Sequence, residues 1–250
     1  MNKNLIYIVA VDDPGSKIQV NEYFQYSEPT WEHYCKKYNI DLIIAREHGF
    51  DVSYRAIWNK ELIFDVGKGY DKIGIVDADT MIRWDAPDIF QQFSTEEFCG
   101  VNDLCDLNWL FKSISDRQFI FPDTILDLNT YLNAGVLFFG GKYREIFERL
   151  LITYIHNKPE IDKIAGGGKE QTLLNFMLKY NKVPITLLSP AWNLLSIHRK
   201  NMFTNNWQLK IDNIPHFMKY AYVWHFTGFP VEARIQLMQQ TWEMVKHNYR

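Results

Sequence analysis

Ile73-Gly74-Ile75-Val76-Asp77-Ala78-Asp79-Thr80 is an apolar run that ends abruptly in two aspartates two positions apart. In an extended chain residues i and i+2 share a face, so Asp77 and Asp79 present carboxylates to one point while Ala78 turns away. Two carboxylates that close repel unless a cation or a proton lies between them. In open α/β sheets, ligands gather at the carboxyl ends of strands. Asp79 capping the next turn is the plain alternative, so other parts of the chain have to decide.

Working outward, short apolar runs alternate with helical periods, which predicts an α/β domain with a mostly parallel central sheet flanked by helices. Strands are expected at 5–11, 40–45, 73–76, 98–101, 136–139, 183–188 and 222–226. Most are apolar on both faces, as buried strands are. Ser27-Glu28-Pro29 reads as a helix start, followed by Trp31, Tyr34, Cys35 and Tyr38 at i, i+3, i+4, i+7. Ile146, Phe147, Leu150, Leu151 and Tyr154 form one helical face. Residues 169–179 bury Leu173, Leu174, Met177 and Leu178, and Ile235, Met238, Trp242 and Val245 form a C-terminal stripe. Gly166-Gly167-Gly168 reads as a tight turn into a helix, and no linker or repeat breaks the pattern, so one domain over 1–250 is expected.

With 47% hydrophobic residues in 250, the chain can bury a sizeable core. A net charge of −3 gives no basic excess for nucleic acid. Cys35, Cys99 and Cys105 form no C-x-x-C pair, which disfavours a disulfide framework and suits a reducing compartment. The apolar run 5–11 meets Asp12-Asp13 at once and is no signal peptide, and nothing approaches a membrane span. A cytoplasmic protein is expected.

Tyr222-Val223-Trp224-His225-Phe226-Thr227-Gly228 puts a histidine at the end of an apolar strand, before a glycine turn. Such a histidine is commonly a hydrogen-bonded core residue. Joined to Asp77 and Asp79, however, it completes a mixed oxygen–nitrogen set suited to Mn²⁺ or Mg²⁺, with positions left for phosphate oxygens.

Taken in order, six stretches resemble the family 8 retaining glycosyltransferases, the glycogenin-like and bacterial galactosyltransferase-like enzymes with the GT-A fold. They are Ile6–Asp12; Tyr54-Arg55-Ala56-Ile57-Trp58-Asn59-Lys60-Glu61-Leu62; Val76–Thr80 with its D-x-D; Tyr131-Leu132-Asn133-Ala134-Gly135-Val136-Leu137; Glu170-Gln171-Thr172-Leu173-Leu174-Asn175; and His225-Phe226-Thr227-Gly228. The resemblance implies a single GT-A domain and a UDP-sugar donor, UDP-glucose or UDP-galactose. It implies metal ligands Asp77, Asp79 and His225. Val9, Ala10, Val11, Asp12, Arg55, Lys60, Ala78 and Gly228 would join these in holding the nucleotide sugar. Asn133 and Gln171 would bond donor-sugar hydroxyls, with Glu170 beside the anomeric centre or acceptor. The family's lysine after H-F-x-G is absent here, and Arg234 is expected to reach the diphosphate instead, or else to cover the helix surface. Glu170 stands where the family has aspartate. The acceptor would be a glycan, a lipid-linked saccharide or a protein, and Trp192 would line its groove.

Two other classes fit parts of the pattern. A nucleotidyltransferase also pairs carboxylates with Mg²⁺, but 11–17 carries two acids and one lysine where a triphosphate loop would be basic. A non-catalytic sugar-binding module would have no reason to keep the D-x-D and histidine together.

Overall fold

The computed structural model describes residues 3–13, 16, 18–51, 53–104, 106–164, 169–195, 210–211 and 214–249. Gly166–Gly168, Cys105 and part of the loop 11–17 lie outside the described residues.

The strands are β1 (Asn4–Val9), β2 (Asp41–Ala45), β3 (Lys72–Asp77), β4 (Thr80–Ile82), β5 (Phe98–Asn102), β6 (Leu132–Gly140), β7 (Ile185–Leu187), β8 (Lys210–Ile211), β9 (Ile214–Pro215) and β10 (Val223–His225). The α-helices are α1 (Asn21–Tyr38), α2 (Ile63–Val66), α3 (Leu107–Ser115), α4 (Arg144–Lys163), α5 (Lys169–Tyr180), α6 (His216–Tyr220) and α7 (Val231–Val245). Six strands form the central sheet in the order β2-β1-β3-β6-β5-β7. β1 is parallel to β2 and β3, and β5 to β7, while β6 runs against both its neighbours. Five of the six strands therefore point one way, and the mostly parallel sheet read from the sequence is present.

Side chains alternate across this sheet. Ile6 and Ile8 of β1 and Val136 and Phe138 of β6 pack with α1 through Phe24, Trp31 and Tyr34. Leu5 and Tyr7 of β1, Ile73 and Ile75 of β3, and Leu137 and Phe139 of β6 face α4 and α5, meeting Phe147, Leu150, Tyr154, Leu173 and Met177. Both faces are thus covered by helices, which is why the central strands are continuously apolar. The outer strands β2 and β7 depart from that expectation and are partly exposed. Among the described residues, no helix is long and apolar enough to cross a membrane.

Three expectations need correction. The run at 222–226 does form a strand, but β10 pairs with β4 in a separate two-stranded sheet. That sheet, with α7, builds its own core around Met81, Trp224 and Met238. Pro29 does not start α1: the helix begins eight residues earlier, at Asn21, and carries Pro29 inside it. Tertiary bonds compensate, since the Ser27 hydroxyl donates to Thr80 O, Trp31 Nε1 donates to Thr80 Oγ1 (3.0 Å), and Thr30 Oγ1 accepts Ile82 N–H (3.1 Å). The C-terminal stripe is shifted as well, with Leu237, Met238, Thr241 and Val245 buried.

Candidate active site

Asp77 is the last residue of β3 and lies level with Val9 of β1. Because β6 runs antiparallel, its first residues arrive where β3 ends, with Val136 opposite Val76. Asn133 and Gly135 therefore stand at the carboxyl edge beside Asp77. After Asp77 the chain turns at Ala78-Asp79 into β4 instead of continuing as extended strand. β4 then pairs with β10, setting His225 opposite Thr80, and Phe226 N–H bonds Asp79 O (2.9 Å). A tight turn and a strand pairing, not strand alternation, bring the two carboxylates together. Ala78 borders the cleft and packs in the core cluster with Ile6 and Ile8.

Ligand atoms of Asp77, Asp79 and His225 lie within 4.8 Å of one another. His225 Nε2 is 3.2 Å from Asp79 Oδ1 and 3.8 Å from Asp77 Oδ2. The ring is buried, yet among the described residues Nε2 makes no hydrogen bond. A buried nitrogen left unpaired is costly, and the three groups together could hold a cation. Ligands around an octahedral Mg²⁺ at about 2.1 Å stand about 3 Å apart when adjacent, so the spacing fits such an ion after small adjustments. Gly135 makes room for the cluster, because a Cβ there would lie 2.3 Å from His225 Cε1 and 2.7 Å from Asp77 Oδ2.

Each aspartate divides its oxygens. Asp77 Oδ1 pairs with Lys60 Nζ (2.5 Å) and Asp79 Oδ2 with Arg234 Nη1 (3.1 Å), leaving Asp77 Oδ2 and Asp79 Oδ1 toward the imidazole. Lys60 is buried at the cleft floor, bonds Ala134 O (3.2 Å), and stands 3.7 Å from Glu170 Oε1. Burial alone would lower its pKa, but the carboxylates of Asp77 and Glu170 outweigh burial and raise it. Burial would likewise raise Asp79, but Arg234 and then His225 outweigh it and hold the carboxyl well below the usual range.

On the other side of the cluster, Asn133 Nδ2 donates to Asp103 Oδ2 (3.0 Å) and to Gln171 Oε1 (3.1 Å). Asn133 Oδ1 accepts from Gly135 N (2.9 Å) and Asn193 Nδ2 (3.0 Å), which completes the amide's hydrogen-bonding capacity. Gln171 Nε2 donates to Asp103 Oδ2 (3.0 Å), and its Oε1 also accepts Ala134 N–H (3.1 Å).

These groups surround a cleft of about 690 Å³, within the usual range for a small-molecule site. Of the residues singled out in the sequence, Val9, Val11, Asp12, Arg55, Lys60, Asp77, Ala78, Asp79, Asn133, Glu170, Gln171, His225, Gly228 and Arg234 line it. Ala10 is buried and does not; its N–H bonds Ala45 O. Asp12 accepts Val20 N–H through Oδ1, and Arg55 pairs with Asp13 (3.0 Å) at the rim. Gly228 turns the chain into α7 with φ of 70°, a region that favours glycine. Trp192 lies in the core instead of an acceptor groove, packed on Phe138 and Tyr222 with Nε1 bonded to Gln92.

Among the residues not singled out from the sequence, Asp103 and Tyr23 line the cleft and Asn193 is buried behind His225. Asp103 follows the end of β5, so the rule that placed Asp77 at a strand's carboxyl end would have found it. Asn193 follows Trp192 and stands in no recognisable motif of its own. Tyr23, on α1, lies under the Arg234 guanidinium (5.4 Å to the ring centre), a contact no local pattern announces.

No family model and no curated protein matches this chain. Solved structures do resemble it. A glycosyltransferase involved in glycosylation of the major capsid of PBCV-1 is 12% identical, with a TM-score of 0.61, over 95% of this chain and 99% of that one. The galactosyltransferase LgtC, in complex with donor and acceptor sugar analogs, is 13% identical with a TM-score of 0.51, over 95% of each chain. The Streptococcus pneumoniae glycosyltransferase GlyE is 16% identical with a TM-score of 0.53, over all of this chain and 63% of that one. Likeness at such identities concerns the backbone, and the chain has the α/β fold that these GT-A glycosyltransferases share.

Proposed function

We propose that this protein is a metal-dependent hexosyltransferase. It moves glucose or galactose from a UDP-sugar to a hydroxyl of a glycan, lipid-linked or protein acceptor, with retention at the anomeric carbon. The observation that carries the reading is the buried, unpaired His225 Nε2 facing the free oxygens of Asp77 and Asp79 in the cleft.

Charge balance supports it. The cleft is lined by Asp12, Asp13, Asp77, Asp79, Asp103, Asp106 and Glu170 against Arg55, Lys60 and Arg234. All three cations are already paired with aspartates. A diphosphate entering such an acidic cleft needs further positive charge. A divalent cation, when held by Asp77, Asp79 and His225, supplies it and neutralises charge developing on the leaving group.

The chain's own residues do the rest. Lys60 and Arg234 hold the outer oxygens of Asp77 and Asp79, so that the inner ones stay aimed at a common point. Arg234 lies close enough to that point to contact the diphosphate as well. In the net reaction, the bond between the anomeric carbon and a diphosphate oxygen breaks with the electron pair leaving on UDP, one to the acceptor oxygen forms, and the acceptor hydroxyl's proton passes to the departing diphosphate. Gln171 and Asp103 face the donor sugar, and Asn133, fully engaged in hydrogen bonds, orients them. Glu170 lies beside the anomeric centre or acceptor. The reading takes residues 1–250 as one catalytic domain. Since Cys35 and Cys99 are buried and free, it assigns the protein to the reducing cytoplasm.

The test is a panel of nucleotide sugars assayed for hydrolysis with Mn²⁺, with Mg²⁺ and with chelator, beside an Asp77→Asn/Asp79→Asn variant. UDP release from one donor is expected, reduced by about 10²–10³ or more in the variant and abolished by chelator. Pyrophosphate release from nucleoside triphosphates would favour the nucleotidyltransferase instead. No turnover and no binding of UDP would leave a sugar-binding module.

A further inference from the structure

The polar atoms behind His225 can be oriented one after another, starting from groups whose polarity is fixed. A main-chain N–H only donates, and Gly135 N–H donates to Asn133 Oδ1 (2.9 Å). Asn133 Nδ2 is thereby turned to the carboxylate of Asp103 (3.0 Å), which accepts it. Both ends demand the same orientation of the Asn133 amide. Asn133 Oδ1 then takes its second hydrogen from Asn193 Nδ2 (3.0 Å). That turns Asn193 Oδ1 toward His225 Nδ1, 2.8 Å away. An amide oxygen can only accept, so Nδ1 carries the ring proton. In the neutral ring Nε2 is then a bare lone pair.

The alternative tautomer is close at hand. A proton on Nε2 could be donated to Asp79 Oδ1 at 3.2 Å, which would satisfy the ring and block the atom a metal needs. Asn193 and His225 are both buried, so bulk water does not take the amide's place. The partner of a ligating histidine's other nitrogen generally fixes its tautomer.

We propose that Asn193 is a positioning residue that locks His225 in its metal-ligating tautomer. Through Asn133 it ties that choice to the Asp103–Gln171 side of the cleft. The inference rests on the metal-dependent reading above and extends it to a residue outside the ligand set.

Two measurements on the full chain test it. Long-range ¹H–¹⁵N spectra of histidine-labelled protein at about pH 8, above the ordinary histidine range, report which ring nitrogen of His225 is protonated. Titration with Mn²⁺, following the free ion by EPR, reports affinity without requiring turnover. Wild type is expected to show the proton on Nδ1. Asn193→Leu, checked for folding by circular dichroism, is expected to move it to Nε2 and to weaken Mn²⁺ binding by about 10–100-fold. Asn193→Asp still offers an oxygen to Nδ1–H and is expected to keep the wild-type tautomer, with affinity within about threefold.

A wild-type proton on Nε2 overturns the proposal at once, even if Asn193→Leu fails to fold. So does an Asn193→Leu protein with wild-type tautomer and affinity, or an Asn193→Asp protein protonated on Nε2. Wild type that binds neither Mn²⁺ nor UDP removes the transferase reading and this inference with it. Wild type that binds both while the variants break the pattern removes the inference alone.

Discussion

Arg234 guards one oxygen of Asp79 at 3.1 Å, and among the described residues its Nε has no hydrogen-bond partner. A guanidinium there repels an incoming cation but attracts a diphosphate. Arg234→Gln is therefore expected to leave Mn²⁺ binding to the free protein equal or severalfold tighter, while UDP affinity falls about tenfold. Calorimetric titrations of UDP with and without Mn²⁺ separate the two effects, and unchanged UDP affinity would assign Arg234 only to the helix surface. Glu61 offers a second test at this scale. Its carboxyl is buried, with Oε2 unpaired among the described residues. Burial first and the Glu170 charge second push its pKa well above the usual range, against the pull of Lys60. A raised folded pKa means that the group's stabilisation is full below the unfolded value near 4.3 and declines as pH rises toward and through the folded one. Glu61→Gln should thus raise Tm by roughly a few degrees at pH 8 and have little effect near pH 4, as thermal melts at the two pH values would show. A uniform loss of stability at both would mean that Glu61 makes a bond the amide cannot replace.

At the scale of elements, the site depends on how α1 is fastened to β4, because Val20 and Tyr23 line the cleft from the start of that helix. Thr30 is fully buried and accepts Ile82 N–H while donating to Ser27 O (2.7 Å). Thr30→Val keeps the shape but orphans a buried amide, which costs about 1–3 kcal/mol. At about 2–4 °C per kcal/mol for a protein of this size, melting should show the loss directly. An unaltered Tm would mean that the amide finds another partner. This contact also marks where the sequence stops being legible. The central strands could be read because both their faces are buried, so their apolar runs are unbroken. Pro29 could not: a proline signals a helix start equally well in any helix, and only the bonds from Ser27, Thr30 and Trp31 to β4 explain its place inside α1. The turn at Ala78-Asp79 was hidden for the same reason. Nothing local to Asp77–Thr80 says that β4 will leave the large sheet to pair with β10. Asp77, Asp79 and His225, whose ligand atoms cluster within 4.8 Å, were legible from residue type, and Asp103 from its place after β5, whereas Asn193 and Tyr23 are recruited by tertiary contacts that no spacing encodes.

At the scale of the molecule, the cleft lies between the carboxyl edge of the large sheet and the smaller β4–β10 sheet with α7. Val9, Asp77, Asn133 and Gly135 come from the carboxyl edge of the large sheet, whereas His225, Gly228 and Arg234 come from β10 and α7 with their own apolar core. Across the cleft the two are linked by the His225 and Arg234 contacts to the aspartates and by the Asn193 amide. A ligand that engages both sides must therefore stabilise their union, and one that touches a single side need not. Mn²⁺ and UDP added together, at about a hundred times their dissociation constants, should stabilise the fold by about 2.7 kcal/mol. That corresponds to a Tm rise of roughly 5–11 °C. Metal alone meets Lys60 and Arg234 already paired with its ligands, so it should give much less. The Asp77→Asn/Asp79→Asn protein should give no joint shift, and chelator should erase it in wild type. Hydrogen exchange in the same samples localises the effect. The amides of α7 and β10 should slow together with those at the end of β3 if the ligand bridges the two sides of the cleft. Slowing confined to the large sheet would place the ligand on one wall of the cleft and leave His225 without a role in holding it.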